Sequence, residues 1–318
     1  MDVLLASPID AEAIGELNGR HRVEQAFSAG PETLRSLLPQ TEVLVFRSGV
    51  SLSRPVLDQA SRLRLGIRAG SGLDNVDVDL LRSRGVRLVR IPGPGARAVA
   101  ELTFALLLNV ARNVSLADRL LRHGRWAKHE LAGPLLKDKT LGVVGLGSIG
   151  TQVGLLGAAW GMRVCGCVEH PSRARADRFK DVGISLVDCD TVLADADFVS
   201  IHVPLKESTR HMIDAGAFAR MKPGAFVVNA ARGGVVDEDG LHAALIDGRV
   251  AGAALDVHET EGGGTPVLAE LPNVVLTPHI GAMALDAQRQ IGRRVIALID
   301  AFVDGRLERE AAREELVV

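Results

Sequence analysis

Short apolar runs recur along the chain, separated by stretches in which apolar residues return every three or four positions. The runs are "DVLLAS" (2–7), "TEVLVFRS" (41–48), "RLGIRAG" (64–70) and "VRLVRIP" (86–92) in the first third. The series resumes with "TLGVVGLG" (140–147), "MRVCGCV" (162–168), "FVSIHVP" (198–204), "AFVVNAA" (225–231), "AGAALDV" (251–257) and "NVVLTPH" (273–279). Amphipathic pieces such as "PETLRSLLP" and "NVDVDLLRSRG" lie between them and read as helices. Strand–helix–strand alternation over this length predicts an α/β protein with two doubly wound parallel-sheet domains, helices covering both faces of each sheet. A long helix from about Ala98 to Arg122, carrying "VAELTFALLLNVARNV", separates the two series. Its broad apolar surface fits either core packing or a subunit contact. The last segment, "ALDAQRQIGRRVIALIDAFVDG", reads as a helix returning to the first domain.

A length of 318 residues agrees with about two domains. Hydrophobic residues make up 47% and charged ones 24%, the profile of a folding globular chain. The net charge of −2, the lack of a Lys/Arg block and the few aromatics argue against a nucleic-acid partner. The N-terminus has no basic start followed by an apolar core, so it does not read as a signal peptide. Residues 140–162 carry no charge and are long enough to span a bilayer. Their patterned glycines and their switch in composition read instead as strand, turn and helix, so no membrane partner is expected. Three cysteines, odd in number and set among apolar residues, suggest a reducing cytoplasm, without a disulfide or a metal site.

The uncharged stretch holds Gly145, Gly147 and Gly150 in "VVGLGSIG", a G-x-G-x-x-G between a strand and a helix. Such glycines allow a tight turn and let backbone N–H groups, here around Ser148 and Ile149, approach a pyrophosphate. The acid that usually holds the adenine ribose is represented by Glu169 in "CVEHPSRAR". Glutamate favours NAD, whereas Ser172, Arg173 and Arg175 leave NADP open or simply begin a solvated helix.

Three polar residues follow later strands: Arg232 after "FVVNAA", Glu261 beyond "AALDV", and His279 at the end of "VVLTPH". Open parallel sheets bind ligands at these strand ends. Reduction of a 2-oxo acid needs a proton donor at the carbonyl oxygen, and histidine beside a carboxylate suits that task. A guanidinium can grip the substrate carboxylate and polarise the carbonyl. The bland alternative for Arg232 is a salt bridge to Asp237, Glu238 or Asp239.

With these motifs in order, the sequence resembles the D-2-hydroxyacid dehydrogenases, the phosphoglycerate dehydrogenases among them most closely. "RAGSGLDNVD" (68–77), "VAELT" (99–103), "GLGSIGTQVG" (145–154), "HVPL" (202–205), "NAARGGVVDE" (229–238), "GAALDV" (252–257) and "TPHIGA" (277–282) carry the match. The resemblance implies a catalytic triad of Arg232, Glu261 and His279, with His279 as acid/base. It also implies that Asp256 contacts the nicotinamide carboxamide, and that His202, Val203, Pro204, Ala230, Ala231 and Gly281 line the cofactor. On the substrate side it implies a carboxylate-binding loop at Ala69, Gly70, Ser71 and Gly72, and a phosphate held by Arg47 and Arg68. The implied architecture is a Rossmann cofactor domain (97–283) inserted in a flavodoxin-like substrate domain (1–96 plus 284–318), the whole forming a homodimer.

Three departures from the family pattern stand out. Val168 occupies the usual aspartate position, Gly262 replaces the proline after the glutamate, and the length leaves no room for a C-terminal regulatory domain. The expected reaction interconverts a D-2-hydroxy acid and its 2-oxo acid, with 3-phosphoglycerate as first substrate. Phosphonopyruvate, glyoxylate and hydroxypyruvate are the alternatives. Formate-type chemistry is disfavoured, since it needs no histidine–glutamate pair, and a non-catalytic NAD(H)-sensing co-repressor is the rival of another class.

Overall fold

A computed structural model of the chain describes residues 1–27, 29–312 and 315–318. The chain divides into two compact units, residues 1–98 with 282–318, and residues 99–281. The first division falls inside the helix Gly93–Ala111.

The first unit contains β1 (Asp2–Leu5), β2 (Arg22–Gln25), β3 (Val43–Phe46), β4 (Leu65–Arg68) and β5 (Arg87–Arg90), all parallel, in the order β2-β1-β3-β4-β5. Alternate residues of each strand feed opposite faces. Val3, Leu5, Val43, Val45, Leu65 and Ile67 pack with Ile291, Val295 and Ile299 of the helix Leu285–Val303. Leu4, Leu44, Phe46 and Leu88 pack with Leu34, Val56 and Leu81 on the other face. The C-terminal helix thus returns to this unit, where Gly292 lets it approach closely: a Cβ there would lie 2.8 Å from Ala13. Arg294 holds buried Glu315 (Nε to Oε1, 2.8 Å), and Leu316 bridges antiparallel to Val89.

The second unit contains β6 (Thr140–Val144), β7 (Arg163–Cys167), β8 (Ile184–Leu186), β9 (Phe198–Ile201), β10 (Ala225–Asn229), β11 (Val250–Leu255) and β12 (Val274–Leu276). They too are parallel, in the order β12-β11-β10-β9-β6-β7-β8. Leu141, Val143, Val164, Phe198 and Val228 face one layer of helices, and Val144, Val199, Ile201, Val227 and Leu255 the other. Two strands escape the hydrophobic pattern, β2 and β8. Both are short edge strands, and β2 (RVEQ) has only one residue that is not exposed.

The single helix expected over 98–122 is corrected by the structure. It is two helices, Gly93–Ala111 and Val114–Arg122, bent by 60°. Asn113 adopts φ 56°, a left-handed conformation that asparagine tolerates and that ends a helix. The Asn109 amide accepts the Ser115 N–H (2.8 Å) and donates to its hydroxyl (2.7 Å), capping the new start. Phe104, Leu107 and Val110 of the first helix belong to the core, whereas the second buries no residue. Among the described residues no single helix is long and apolar enough to cross a membrane. The uncharged segment 140–162 is strand β6, a turn and the helix Ser148–Ala159.

Candidate active site

In the second unit strand order reverses between β6 and β9, the place where a doubly wound sheet opens a crevice. The turn after β6 fills one side. Gly145 has φ 99°, and a Cβ on it would lie 2.7 Å from the His202 carbonyl that ends β9. At Gly150 a Cβ would fall 2.0 Å from the Gly145 carbonyl, so glycine is obligatory for the helix to meet the turn. Gly147 is different: nothing lies within 4 Å of its Cβ position. It caps the helix Ser148–Ala159, and no side chain bonds the exposed N–H groups of that terminus. Gly147, Ser148 and Ile149 therefore present free backbone donors, open space and the positive end of a twelve-residue helix, the fit a pyrophosphate requires.

Beside the turn lies a cavity of about 770 Å³ bounded by Val168, Glu169, Ser172, Arg173, Val203 and Lys206, among others. The Glu169 carboxylate accepts from Lys206 Nζ at 3.0 Å, and that hydrogen bond and charge hold its pKa below the usual carboxylate range. Lys206, just past "HVPL", was invisible to motif reading because nothing in its spacing distinguishes it from a solvated lysine. Pro204 and Val203 line the same cavity. His202 shares a hydrogen bond with buried Ser200 (Nε2 to Oγ, 2.7 Å), and burial drives its pKa down to about 3, so it is neutral.

The carboxyl ends of β10, β11 and β12 adjoin one another and carry the predicted triad. Asn229 shapes the first turn: its amide accepts the Ala231 N–H (3.0 Å) and donates to the Arg232 carbonyl (2.9 Å). Ala230 and Ala231 are buried there, and Arg232, partly buried, donates to the Ala231 carbonyl at 2.7 Å. Gly233 presses this turn onto the β11 exit, since a Cβ would lie 1.8 Å from the His258 carbonyl. His258 in turn shares a hydrogen bond with the Thr277 carbonyl (3.0 Å).

Asp256, 1% exposed, locks the turn that presents the histidine. Its carboxylate accepts from the Thr277 hydroxyl (2.6 Å) and from the N–H groups of Ile280 and Gly281 (both 2.8 Å). The His279 N–H bonds the Asp256 carbonyl at 2.8 Å, and His279 has φ 54°. This turn-locking role for Asp256 and the clamp by Asn229 went unread in the sequence, because both act mainly on backbone groups. Gly281 is needed for closeness: a Cβ there would be 3.0 Å from the Asp256 carboxylate.

Glu261 and His279 meet as expected. The imidazole Nδ1 lies 2.9 and 3.0 Å from the two carboxylate oxygens, with side-chain exposures of 27% for His279 and 43% for Glu261. Burial pushes the Glu261 pKa up, but the hydrogen bond and charge of His279, with a backbone N–H bond and the charge of His258, hold it below the ordinary value. The glycine in place of proline has a physical reason: Gly262 sits at φ 88°, which proline cannot adopt.

The predicted substrate residues belong to the first unit. There strand order reverses between β1 and β3, and the residues after those strands touch: Ser7 Oγ accepts the Arg47 N–H at 3.0 Å. Arg47 is partly buried and donates from Nε to the Ala69 carbonyl (3.3 Å); burial lowers its pKa, yet arginine remains a cation. Arg68 is 4% exposed and donates from Nε to the Gly72 carbonyl at 2.8 Å. Its guanidinium packs 3.3 Å from the Cβ position of Gly70, so it braces the 69–72 loop. Ser71 is held by Arg90 (3.2 Å). Ser7 and Asn75, whose amide donates to the Ser48 carbonyl at 3.1 Å and also to that of Val50, shape this end of the sheet and had no motif to announce them.

Comparison with known proteins agrees with this geometry. Residues 104–281 match the family "D-isomer specific 2-hydroxyacid dehydrogenase, NAD binding domain". The chain is 38% identical over 296 residues to a hydroxypyruvate reductase from Thermotoga maritima, covering 92% of this chain and 95% of that protein. It is 40% identical to a D-3-phosphoglycerate dehydrogenase from Archaeoglobus fulgidus, covering 92% of this chain but 55% of that longer protein. A solved D-lactate dehydrogenase from Aquifex aeolicus, complexed with NAD and lactic acid, superposes with a TM-score of 0.87 at 27% identity, over 100% of this chain and 99% of that one. The chain belongs to the D-isomer specific 2-hydroxyacid dehydrogenase family, NAD-dependent oxidoreductases acting on CH–OH groups.

Proposed function

We propose that the chain interconverts 3-phosphoglycerate and 3-phosphohydroxypyruvate, with His279 as the acid/base, Glu261 as its orienting partner and Arg232 as the carboxylate and carbonyl ligand. The observation that carries the catalytic reading is the Glu261 carboxylate lying against Nδ1 of His279. With Nδ1–H donated to the carboxylate, Nε2 is left to accept the substrate hydroxyl proton or to return it. A nicotinamide held at the glycine turn would supply the hydride chemistry at the carbon that bears this oxygen. Glu261 favours the imidazolium formed as the hydroxyl is deprotonated, because a carboxylate at hydrogen-bond distance stabilises the charged ring. Asp256 fixes the turn, so the ring needs little reorganisation during the transfer. Glu169, braced by Lys206, offers an acceptor for the adenine ribose hydroxyls, which supports NAD over NADP.

The substrate assignment rests on Arg47 at the switch point of the first sheet, a partly buried cation beside the 69–72 loop, while Arg68, 4% exposed, braces that loop from within. Hydroxypyruvate is the second reading, favoured by the near full-length match to the Thermotoga reductase. Steady-state kinetics on 3-phosphohydroxypyruvate, hydroxypyruvate, glyoxylate and phosphonopyruvate, each with NADH and NADPH, decide between them. The proposal expects the phosphorylated acid to lead in kcat/KM by about a hundredfold, two lost charge-assisted bonds at roughly 1.5 kcal/mol each. Arg47→Ala should remove most of that lead. An equal or better rate on hydroxypyruvate, untouched by Arg47→Ala, would replace the first reading with the second.

A further inference from the structure

The cavity beside the glycine turn has two thiols in its wall, Cys167 and Cys189, and hydride transfer has no use for either. Cys167 is the last residue of β7 and is buried; Cys189 opens the helix Cys189–Asp195 and is partly exposed. Strand register brings them together. Gly166 of β7 lies opposite Leu186 of β8, and the Val187 N–H bonds the Gly166 carbonyl at 2.9 Å. The chain therefore leaves β8 alongside Cys167, and two residues later Cys189 packs against the same core cluster. Both side chains thus reach the same cavity wall, Cys167 from the strand end and Cys189 from the helix start.

The two sulfurs are unequal, Cys167 buried and Cys189 partly exposed. The neighbouring Cys189 thiol, then burial, raise the pKa of Cys167. For Cys189 the neighbouring Cys167 thiol outweighs burial and the nearby Asp190 and Asp188, with Arg220 assisting, and its pKa falls. Thiolates, not thiols, attack oxidants, so the more exposed sulfur is also the better nucleophile. Cys165, buried two residues back along β7, has its pKa raised by desolvation and Asp195.

We propose that Cys189 and Cys167 form a peroxide-sensitive dithiol in the cofactor cavity, and that closing it to a disulfide weakens cofactor binding. The Cys189 thiolate attacks one oxygen of hydrogen peroxide; the O–O bond breaks, the sulfur becomes a sulfenic acid and hydroxide leaves to take up a proton as water. The Cys167 sulfur then attacks the sulfenic sulfur, the S–O bond breaks, and the departing hydroxyl leaves as water with the Cys167 proton. Two thiols and one peroxide give one disulfide and two waters.

Cys167 is joined directly to the cofactor machinery. Its carbonyl accepts the N–H groups of Gly145 (3.1 Å) and Leu146 (3.2 Å), and Val168 and Glu169 follow it in the chain. Drawing Cys167 toward Cys189 shifts the anchor of the glycine turn and the ribose acceptor together. A cofactor in the cavity in turn covers the Cys189 wall. The second half of the proposal rests on assigning this cavity to the adenosine end of NAD, whereas the disulfide chemistry does not.

The test uses the reduced full-length protein, hydrogen peroxide, non-reducing peptide mapping and NADH titration by fluorescence. A Cys167–Cys189 link should form before any change at Cys165, and NADH should slow it by the factor 1 + [NADH]/Kd. In the linked protein the Kd for NADH should rise about tenfold or more, and dithiothreitol should restore it. Cys165→Ser should still form the link, and Cys189→Ser should not. Cys189→Ala, checked by circular dichroism, guards against a folding defect. Overoxidation of Cys189 with no link, or a link that leaves the NADH Kd unchanged, would overturn the proposal. A reduced protein whose NADH affinity ignores Glu169→Ala would overturn the cavity assignment and the cofactor effect with it, even with the link present on the peptide map.

Discussion

At the scale of single residues the site depends on how Glu261 treats His279. A carboxylate against Nδ1 both selects the tautomer and favours the charged ring. Glu261→Gln keeps the size and one acceptor but removes the charge, so the imidazolium loses its support. The kcat for oxidation of the hydroxy acid should therefore fall, and an unchanged kcat would contradict the pairing. His279→Ala should lower kcat by about a hundredfold or more, the scale of lost general acid–base help. The pair also links pH to stability. The folded-state pKa of Glu261 is depressed, so its contribution is present above the unfolded carboxyl value and is lost as pH falls through the folded one. Melting temperatures of wild type and Glu261→Gln should accordingly differ most near neutrality and converge in acid.

At the scale of elements, three glycines of one turn are under three different constraints, which a single measurement cannot separate. Gly150→Ala puts a Cβ 2.0 Å from the Gly145 carbonyl, so it should lower the melting temperature with a cost of about 1–3 kcal/mol for overpacking. Gly147→Ala meets no protein atom within 4 Å; it should melt like wild type yet bind NADH more weakly, its methyl occupying the approach to the pyrophosphate. A Gly147→Ala variant with unchanged NADH affinity would show that the turn does not cradle the cofactor. The same turn explains what the sequence made legible: motifs whose chemistry is set by backbone shape, the glycines, Arg232, Glu261 and His279, could be read from spacing between buried strands. What escaped obeys no period. β2 and β8 are edge strands with too little burial to show an apolar run. The break at Asn113 interrupts an unbroken helical pattern because its cause is one left-handed residue and a side-chain cap. Lys206, Ser7 and the turn-locking role of Asp256 act through contacts between distant segments, which only the fold creates, and Asn229 acts through backbone groups of its own turn, which carry no residue signature.

At the scale of the whole molecule, the helix Val114–Arg122 and the segment after it pose a problem of solubility. The helix buries none of its own residues, yet Leu121 is 57% exposed, and beyond it Trp126 is 79% and Leu135 67% exposed. Large apolar side chains left exposed along one short segment are candidates for an interaction surface. We propose that a second copy of this chain covers it. The break at Asn113 supports this arrangement, because it separates a core helix, whose Phe104 and Leu107 pack under β6, from one that fully buries none of its residues. Sedimentation at micromolar concentration should give twice the chain mass of 33.7 kDa. Dilution should lower the melting temperature, as mass action requires of a dimer-stabilised fold. Leu121→Glu with Trp126→Ala should yield a folded monomer, since neither side chain belongs to a core cluster. A wild-type chain that sediments as a monomer at every concentration would leave this surface to a different partner.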